Sequence, residues 1–249
     1  MIQFCGRTDV GRRRHRNEDS ILVGDGILVV CDGMGGHQAG DVASRIGVDT
    51  IGTFINRSGA DPDLTWPYGF DPSLSFDANR VRTAIKLANR AIFTRAAAED
   101  EYAGMGTTVV ATLVAADDAR FTYGNVGDSR LYIFRGGRVT QLTRDDSLAN
   151  SGWADTEEGG VVAGMKNILT KALGVRGEVD FDVAAHDLVP GDTVLLCSDG
   201  LTNMLEDDAI LEIISRYDGH LAKTCDQLVD TANARGGRDN ISAILLRYE

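Results

Sequence analysis

The spacing of apolar positions changes several times along the chain, and each change marks an element. Residues 20–23 and 26–31 are short aliphatic runs parted by Gly24 and Asp25, the pattern of two strands joined by a tight turn. After Gly40 the spacing becomes helical: Val42, Ala43, Ile46, Thr50, Ile51, Phe54 and Ile55 recur at three- and four-residue steps. Val81, Ala84, Ile85, Ala88, Ala91 and Ile92 repeat the pattern and predict a second amphipathic helix. Between the two, residues 58–76 carry three of the four prolines together with Trp66, Tyr68 and Phe70, and read as an irregular insertion.

Strand signals then dominate, over 107–116, 120–126, 130–135 and 138–142, with turns at Asp117-Asp118 and Gly136-Gly137. From Asp145 to Met165 the chain has no period and is rich in Gly, Asp and Glu, so a mobile surface segment is expected there. Strands return at 179–184 and 193–197. Residues 207–217 and 220–234 each carry an apolar helical stripe, Gly236-Gly237 stops the second, and 241–248 closes the chain as a strand. Helices packed on antiparallel sheets follow, an α+β layered domain.

Composition narrows the function. The 249 residues are 43% hydrophobic and 25% charged, which suits one ordinary globular domain, or at most two. With 25 Lys and Arg against 37 Asp and Glu, the net charge of −12 argues against nucleic acid and anionic membranes as partners. No apolar run approaches the roughly 20 residues that span a bilayer. Polar Arg7, Thr8 and Asp9 come before any signal-peptide core could form. Cys5, Cys31, Cys197 and Cys225 show no Cys-x-x-Cys spacing, and a reducing, cytoplasmic setting is expected.

The acidic residues cluster at the ends of apolar strands. Asp32 follows Leu28-Val29-Val30-Cys31, and Asp199 follows Val194-Leu195-Leu196-Cys197-Ser198, each with a glycine directly after it. Asp239 precedes the strand at Ile241, Asp128 lies between two strands, and Glu18-Asp19 precedes the strand at Ile21. Should these ends converge, two charges about 4 Å apart repel by roughly 4 kcal/mol at an effective dielectric near 20, so a counter-charge is needed. Oxygen donors without a Cys or His cluster select hard cations, Mg²⁺ or Mn²⁺ over Zn²⁺, and Gly33 would let a backbone carbonyl approach. Arg14, four residues before Glu18, could present its planar fork to an oxyanion at the same place.

Taken singly, each feature has a plainer explanation. Asp-Gly is foremost a turn signal. Arg12, Arg13 and Arg16 suit a solvated basic patch, Thr107 and Thr108 are ordinary strand residues, and His15, His37, His186 and His220 lack ligand-like spacing.

The ordered blocks together say more. Thr8-Asp9-Val10-Gly11 with Arg14 and Asn17-Glu18-Asp19, Asp32-Gly33-Met34-Gly35-Gly36-His37, and Gly104-Met105-Gly106-Thr107-Thr108 resemble the bacterial metal-dependent protein phosphatases of type 2C. Val126-Gly127-Asp128-Ser129-Arg130, Leu169-Thr170-Lys171-Ala172-Leu173-Gly174, Ser198-Asp199-Gly200-Leu201 and Gly236-Gly237-Arg238-Asp239-Asn240-Ile241-Ser242 continue the resemblance in the same order. It runs from about residue 7 to the C-terminus. It implies a four-layer αββα sandwich, two antiparallel sheets flanked by helices, forming one catalytic domain over residues 1–249 with a flap at about 145–166.

The resemblance also implies the chemistry. Two Mg²⁺ or Mn²⁺ ions activate a water that attacks phosphoserine or phosphothreonine directly, without a phosphoenzyme. Asp32 would bridge both ions, Asp199 and Asp239 would hold one, and the Gly33 carbonyl the other. Glu18 and Asp19 would lie near the second ion directly or through water, and Asp128 with Asp199 matches a third, weaker metal position. Arg14 matches the phosphate-binding arginine, while Asn240, Gly200 and Gly106 would support the loops. Met34 stands where eukaryotic relatives have a histidine, so the leaving-group acid is left between His37 and a water. Asp145-Asp146-Ser147 stands where bacterial members often have Asp-His-Ser. The implied partners are phosphorylated proteins, a Ser/Thr kinase or its forkhead-associated client among them, and the expected state is a monomer.

Two rival readings are weaker. Asp61-Pro62-Asp63-Leu64-Thr65 fits the pattern of phosphatases that form an aspartyl-phosphate, but it follows a helix end instead of a buried strand. A catalytically weak relative that only binds phosphoproteins is disfavoured by retention of every implied ligand carboxylate.

Overall fold

The computed structural model describes residues 1–24, 26–36, 39–61, 64–115, 119–150 and 168–249. Five strands, β1 (Ile2–Asp9), β11 (Ile241–Tyr248), β10 (Thr193–Cys197), β7 (Arg130–Arg135) and β8 (Arg138–Gln141), lie in that order in one antiparallel sheet. The second sheet is ordered β2 (Asp19–Val23), β3 (Ile27–Met34), β5 (Val109–Ala115), β6 (Arg120–Val126), β9 (Val183–Asp187), with short β4 (Gly106–Thr107) paired to the end of β3. Long helices α1 (Ala39–Ala60) and α2 (Phe76–Ala98) cover the second sheet. Helices α4 (Asp207–Arg216) and α5 (Leu221–Ala234) cover the first, and α3 (Asp199–Thr202) is a single turn after β10.

The central strands show why both faces must be apolar. On β3, Leu28 and Val30 point between the sheets while Val29 and Cys31 point to the helices. On β10 and β11, Val194, Leu196, Ile244 and Leu246 fill the same inter-sheet layer, and Leu195, Cys197, Ala243 and Leu245 meet α4 and α5. Strands covered on both faces read as continuous apolar runs, which is how they stand out in the sequence. The result is the αββα sandwich.

Three elements differ from the sequence reading. β1 was not anticipated: it is a half-buried edge strand whose polar Gln3, Arg7 and Asp9 hide any alternation. The strand expected at 179–184 pairs instead over Val183–Asp187, antiparallel to β6, while Val179 and Phe181 before it are partly buried against the same core. The run expected at 107–116 breaks at Thr108, whose N–H bonds the Asp32 carbonyl, so β4 and β5 are separate. The candidate acid His37 and residues 151–166 of the expected flap lie outside the described residues. No helix among the described residues is long and apolar enough to cross a membrane.

Candidate metal centre

The carboxylates gather where the ends of the two sheets meet. Asp32 and Asp19 are direct partners across the β3–β2 ladder. Asp199 follows the end of β10, and Asp239 stands two residues before β11, which pairs with β10 in the five-stranded sheet. Crowding them costs energy, visible in their acidities. Burial, then the charges of Asp19, Asp199, Asp239 and Asp128, hold the Asp32 carboxyl well above its ordinary range. Burial pushes Asp19 up to about 7 against the opposing pull of two hydroxyls, and burial with Asp199 and Asp145 pushes Asp128 up to about 7. Asp199 is raised by burial and Asp239, and Glu18 by burial and by the charges of Asp41 and Asp239.

Glycine permits two of the approaches. A Cβ on Gly200 would stand 1.9 Å from the Asn240 carbonyl oxygen, so only glycine lets the Asp199 turn lie against the Asp239 loop. A Cβ on Gly33 would stand 2.0 Å from the Gly40 carbonyl and 2.6 Å from that of Glu18. Gly106 pairs with Met34 in the β3–β4 ladder below this corner.

A set of buried polar bonds fixes the ligand-bearing backbone. Asn240 is buried and fully engaged: its Nδ2 donates to the carbonyls of Val10 (2.9 Å) and Arg16 (2.8 Å), and its Oδ1 accepts from Glu18 N (2.8 Å). It therefore clips the loop that carries Arg14 and Glu18 to the start of β11. Thr108 Oγ1 accepts from Asp32 N at 3.0 Å and bonds Ser129 Oγ at 2.7 Å, while Thr107 Oγ1 donates to the Asp32 carbonyl at 2.8 Å. Asp19 Oδ2 accepts from Ser198 Oγ (2.8 Å) and Ser242 Oγ (2.6 Å), a latch between the two sheets. None of Thr107, Thr108, Ser198 or Ser242 was singled out for this role from sequence, because a hydroxyl in a strand carries no local signal.

Arg14 Nη2 donates to Asp239 Oδ2 at 2.7 Å, which joins the predicted phosphate binder to a predicted ligand. At the far edge, Asp146 Oδ2 accepts from Gly127 N at 3.1 Å, and Arg130 forks onto Asp145.

The donor set fits a hard divalent cation. It is all oxygen, and both Asp19 Oδ1 and Asp199 Oδ1 are buried without a hydrogen-bond partner, a costly state that a cation would relieve. As the side chains stand, no three of them among the described residues surround one point at ligand distance. Asp239 Oδ2 is turned to Arg14 and Asp19 Oδ2 to the two serines, which leaves Asp19 Oδ1 and Asp199 Oδ1 as the unpartnered oxygens.

Comparison with known proteins shows the family. The family model described as protein phosphatase 2C matches residues 11–245. The serine/threonine phosphatase Stp of Listeria monocytogenes is 37% identical over 98% of this chain and 94% of its own length. The crystal structure of the Mycobacterium tuberculosis serine/threonine phosphatase PstP superposes with a TM-score of 0.82 at 31% identity, covering 100% of this chain and 99% of that one. A PstP catalytic domain in complex with two manganese ions gives a TM-score of 0.80 at 31% identity, over 99% of this chain and 97% of that one. The chain belongs to the protein phosphatase 2C family, and is an enzyme of that kind, a protein phosphatase.

Proposed function

We propose that the chain hydrolyses phosphoserine and phosphothreonine in proteins, using two divalent cations, Mg²⁺ or Mn²⁺. The carrying observation is the convergence of Asp19, Asp128, Asp199 and Asp239 from both sheets around a half-buried Asp32, with a guanidinium at the rim. Similarity to a PstP domain that holds two manganese ions supports the cation number. Asp32 would be shared between the ions, with Asp199 and Asp239 on one and the Gly33 carbonyl, Glu18 and Asp19 toward the other. Asp128 and Asp199 would offer a third position.

Bound there, the cations would neutralise the carboxylates, polarise the phosphoryl oxygens and lower the pKa of an attacking water. The chain's own residues do the rest. Arg14 has donors beyond the one on Asp239, and its half-exposed fork can take two phosphoryl oxygens and orient the ester. Asn240 holds the Arg14 loop against the Asp239 loop, so phosphate and ligands keep one geometry. Thr107 and Thr108 fix the backbone of Asp32 from both sides. No side chain needs to act as nucleophile. The proposed proton donor to the leaving serine or threonine oxygen is His37 or a water.

The whole chain acts as one cytoplasmic, monomeric catalytic domain, opposing a Ser/Thr kinase on that kinase or its forkhead-associated client. Purified protein with Mn²⁺ or Mg²⁺ should release phosphate from a phosphothreonine peptide and stop on chelation. Turnover that survives a chelator, or survives Asp32→Asn, would overturn the reading.

A further inference from the structure

The rim beside Arg14 carries more positive charge than binding one phosphate requires. Arg12 and Arg13 stand two and one residues before Arg14, and Arg238 directly precedes Asp239. All three are exposed, in a chain whose net charge is −12. Arg13 and Arg238 make no hydrogen bond or ion pair among the described residues. Arg16, by contrast, leans to Asp41 at 3.7 Å, beside a separate acidic recess lined by Gly36, Asp41, Asp100 and Glu101. Arg12 acts on the neighbouring Asp9 carboxylate, which leaves Arg13 and Arg238 as the two exposed guanidinium groups of this rim without a partner among the described residues.

Their backbones are pinned. Arg12 N donates to the Gly237 carbonyl at 2.7 Å, and a Cβ on Gly11, whose φ is +81°, would stand 2.2 Å from the Asp239 carbonyl oxygen. The Arg12–Arg14 loop and the Gly237–Asp239 loop thus form one surface. Rigid mounting reduces the entropy lost when a guanidinium engages a ligand. Consecutive Cα atoms are 3.8 Å apart, so Arg12 lies within about 8 Å of Arg14, the length of two to three residues of extended peptide.

Resting on the phosphatase reading above, we infer that Arg12, Arg13 and Arg238 select phosphoprotein segments with further anionic groups within about three residues of the phosphate removed. The recognised chemistry is a second phosphate or an Asp/Glu carboxylate. Guanidinium forks bind either, with two-point geometry best matched to phosphate.

The test uses the full chain with Mn²⁺ on four substrates: an aryl phosphate, a phosphothreonine peptide with neutral flanks, the same peptide with a second phosphothreonine two residues away, and the same peptide with glutamate there. At about 50 mM salt, kcat/KM for the anionic peptides should exceed that for the neutral one by about fivefold, and the gap should close at about 300 mM. In the Arg12→Ala/Arg13→Ala/Arg238→Ala variant the gap should vanish while aryl phosphate and neutral peptide react as before. Counted per phosphate present, a gain confined to the doubly phosphorylated peptide identifies phosphate as the group read, and equal gains identify charge alone. Equal rates on all three peptides in the parent, or a preference that survives the triple substitution, overturn the inference. Absence of aryl phosphate hydrolysis with every metal would instead sink the phosphatase reading. Fluorescence anisotropy of labelled peptides then decides the rim, which requires salt-sensitive binding that the triple variant loses.

Discussion

Gly200 presses against Asn240 so closely that one added methyl group would stand 1.9 Å from the Asn240 carbonyl oxygen. Gly200 lies in the helical turn α3, where alanine would otherwise be preferred over glycine by about 1 kcal/mol. Gly200→Ala should nevertheless destabilise the protein, by about 2 kcal/mol, because backbone atoms must move apart. The same movement separates Asp199 from Asp239. Urea denaturation measures the first effect, and calorimetric titration with Mn²⁺ should show weakened uptake.

Asn240→Ala attacks the clip between the Arg14 loop and β11. It strands the Glu18 N–H and the carbonyls of Val10 and Arg16, at an expected cost of about 2–4 kcal/mol. Asn240→Asp should fare no better, since a carboxylate can accept from Glu18 N but cannot donate to two carbonyls. Chemical denaturation of both variants checks this, and a loss below about 1 kcal/mol for either would remove the amide from its assigned role.

Thr108→Val keeps the shape of a fully packed side chain and deletes the hydroxyl that accepts from Asp32 N and bonds Ser129. Stability should fall by about 1–3 kcal/mol, and turnover should fall with it because Asp32 loses one of its backbone anchors. Thr108→Ser retains the hydroxyl and should recover most of both. Parallel kinetics and melting curves on the pair separate the hydroxyl from the packing.

These residues also show what the sequence could and could not reveal. The doubly covered strands β3, β10 and β11 announced themselves as unbroken apolar runs, and the acids at their ends were conspicuous because an aspartate followed by glycine ends two such runs. β1 was silent, since an edge strand half in water needs no apolar alternation. The latch on Asp19 was invisible for a different reason. Its serine partners lie 179 and 223 residues away, and a hydroxyl at position 198 or 242 acquires meaning only once β10 and β11 are brought beside β2 and β3. Arg14 stood out by its spacing to Glu18 and by resemblance, but its bond to Asp239 spans 225 residues and follows from the packing of two loops that no local pattern connects.

The acid cluster makes a prediction about the protein without cations. Asp19 and Asp128 are both pushed up to about 7, chiefly by burial, from the ordinary carboxylate value near 4. The folded state therefore binds more protons than the unfolded chain between about pH 4 and 7, and stability present at the acid end of that window is lost as pH rises through 7. With chelator present, the protein should be less stable at pH 8 than at pH 5, by about 2 kcal/mol or more. Saturating Mn²⁺ should flatten that slope, because a cation relieves the repulsion that protons relieve at low pH. Asp32→Asn removes the charge at the centre of the cluster. At pH 8 in chelator the variant should be more stable than its parent, while losing manganese uptake and turnover. Urea melts at both pH values decide the matter. A chelated parent that gains stability toward pH 8, or an Asp32→Asn variant that is weaker than the parent there, would show that these carboxylates are not strained by one another.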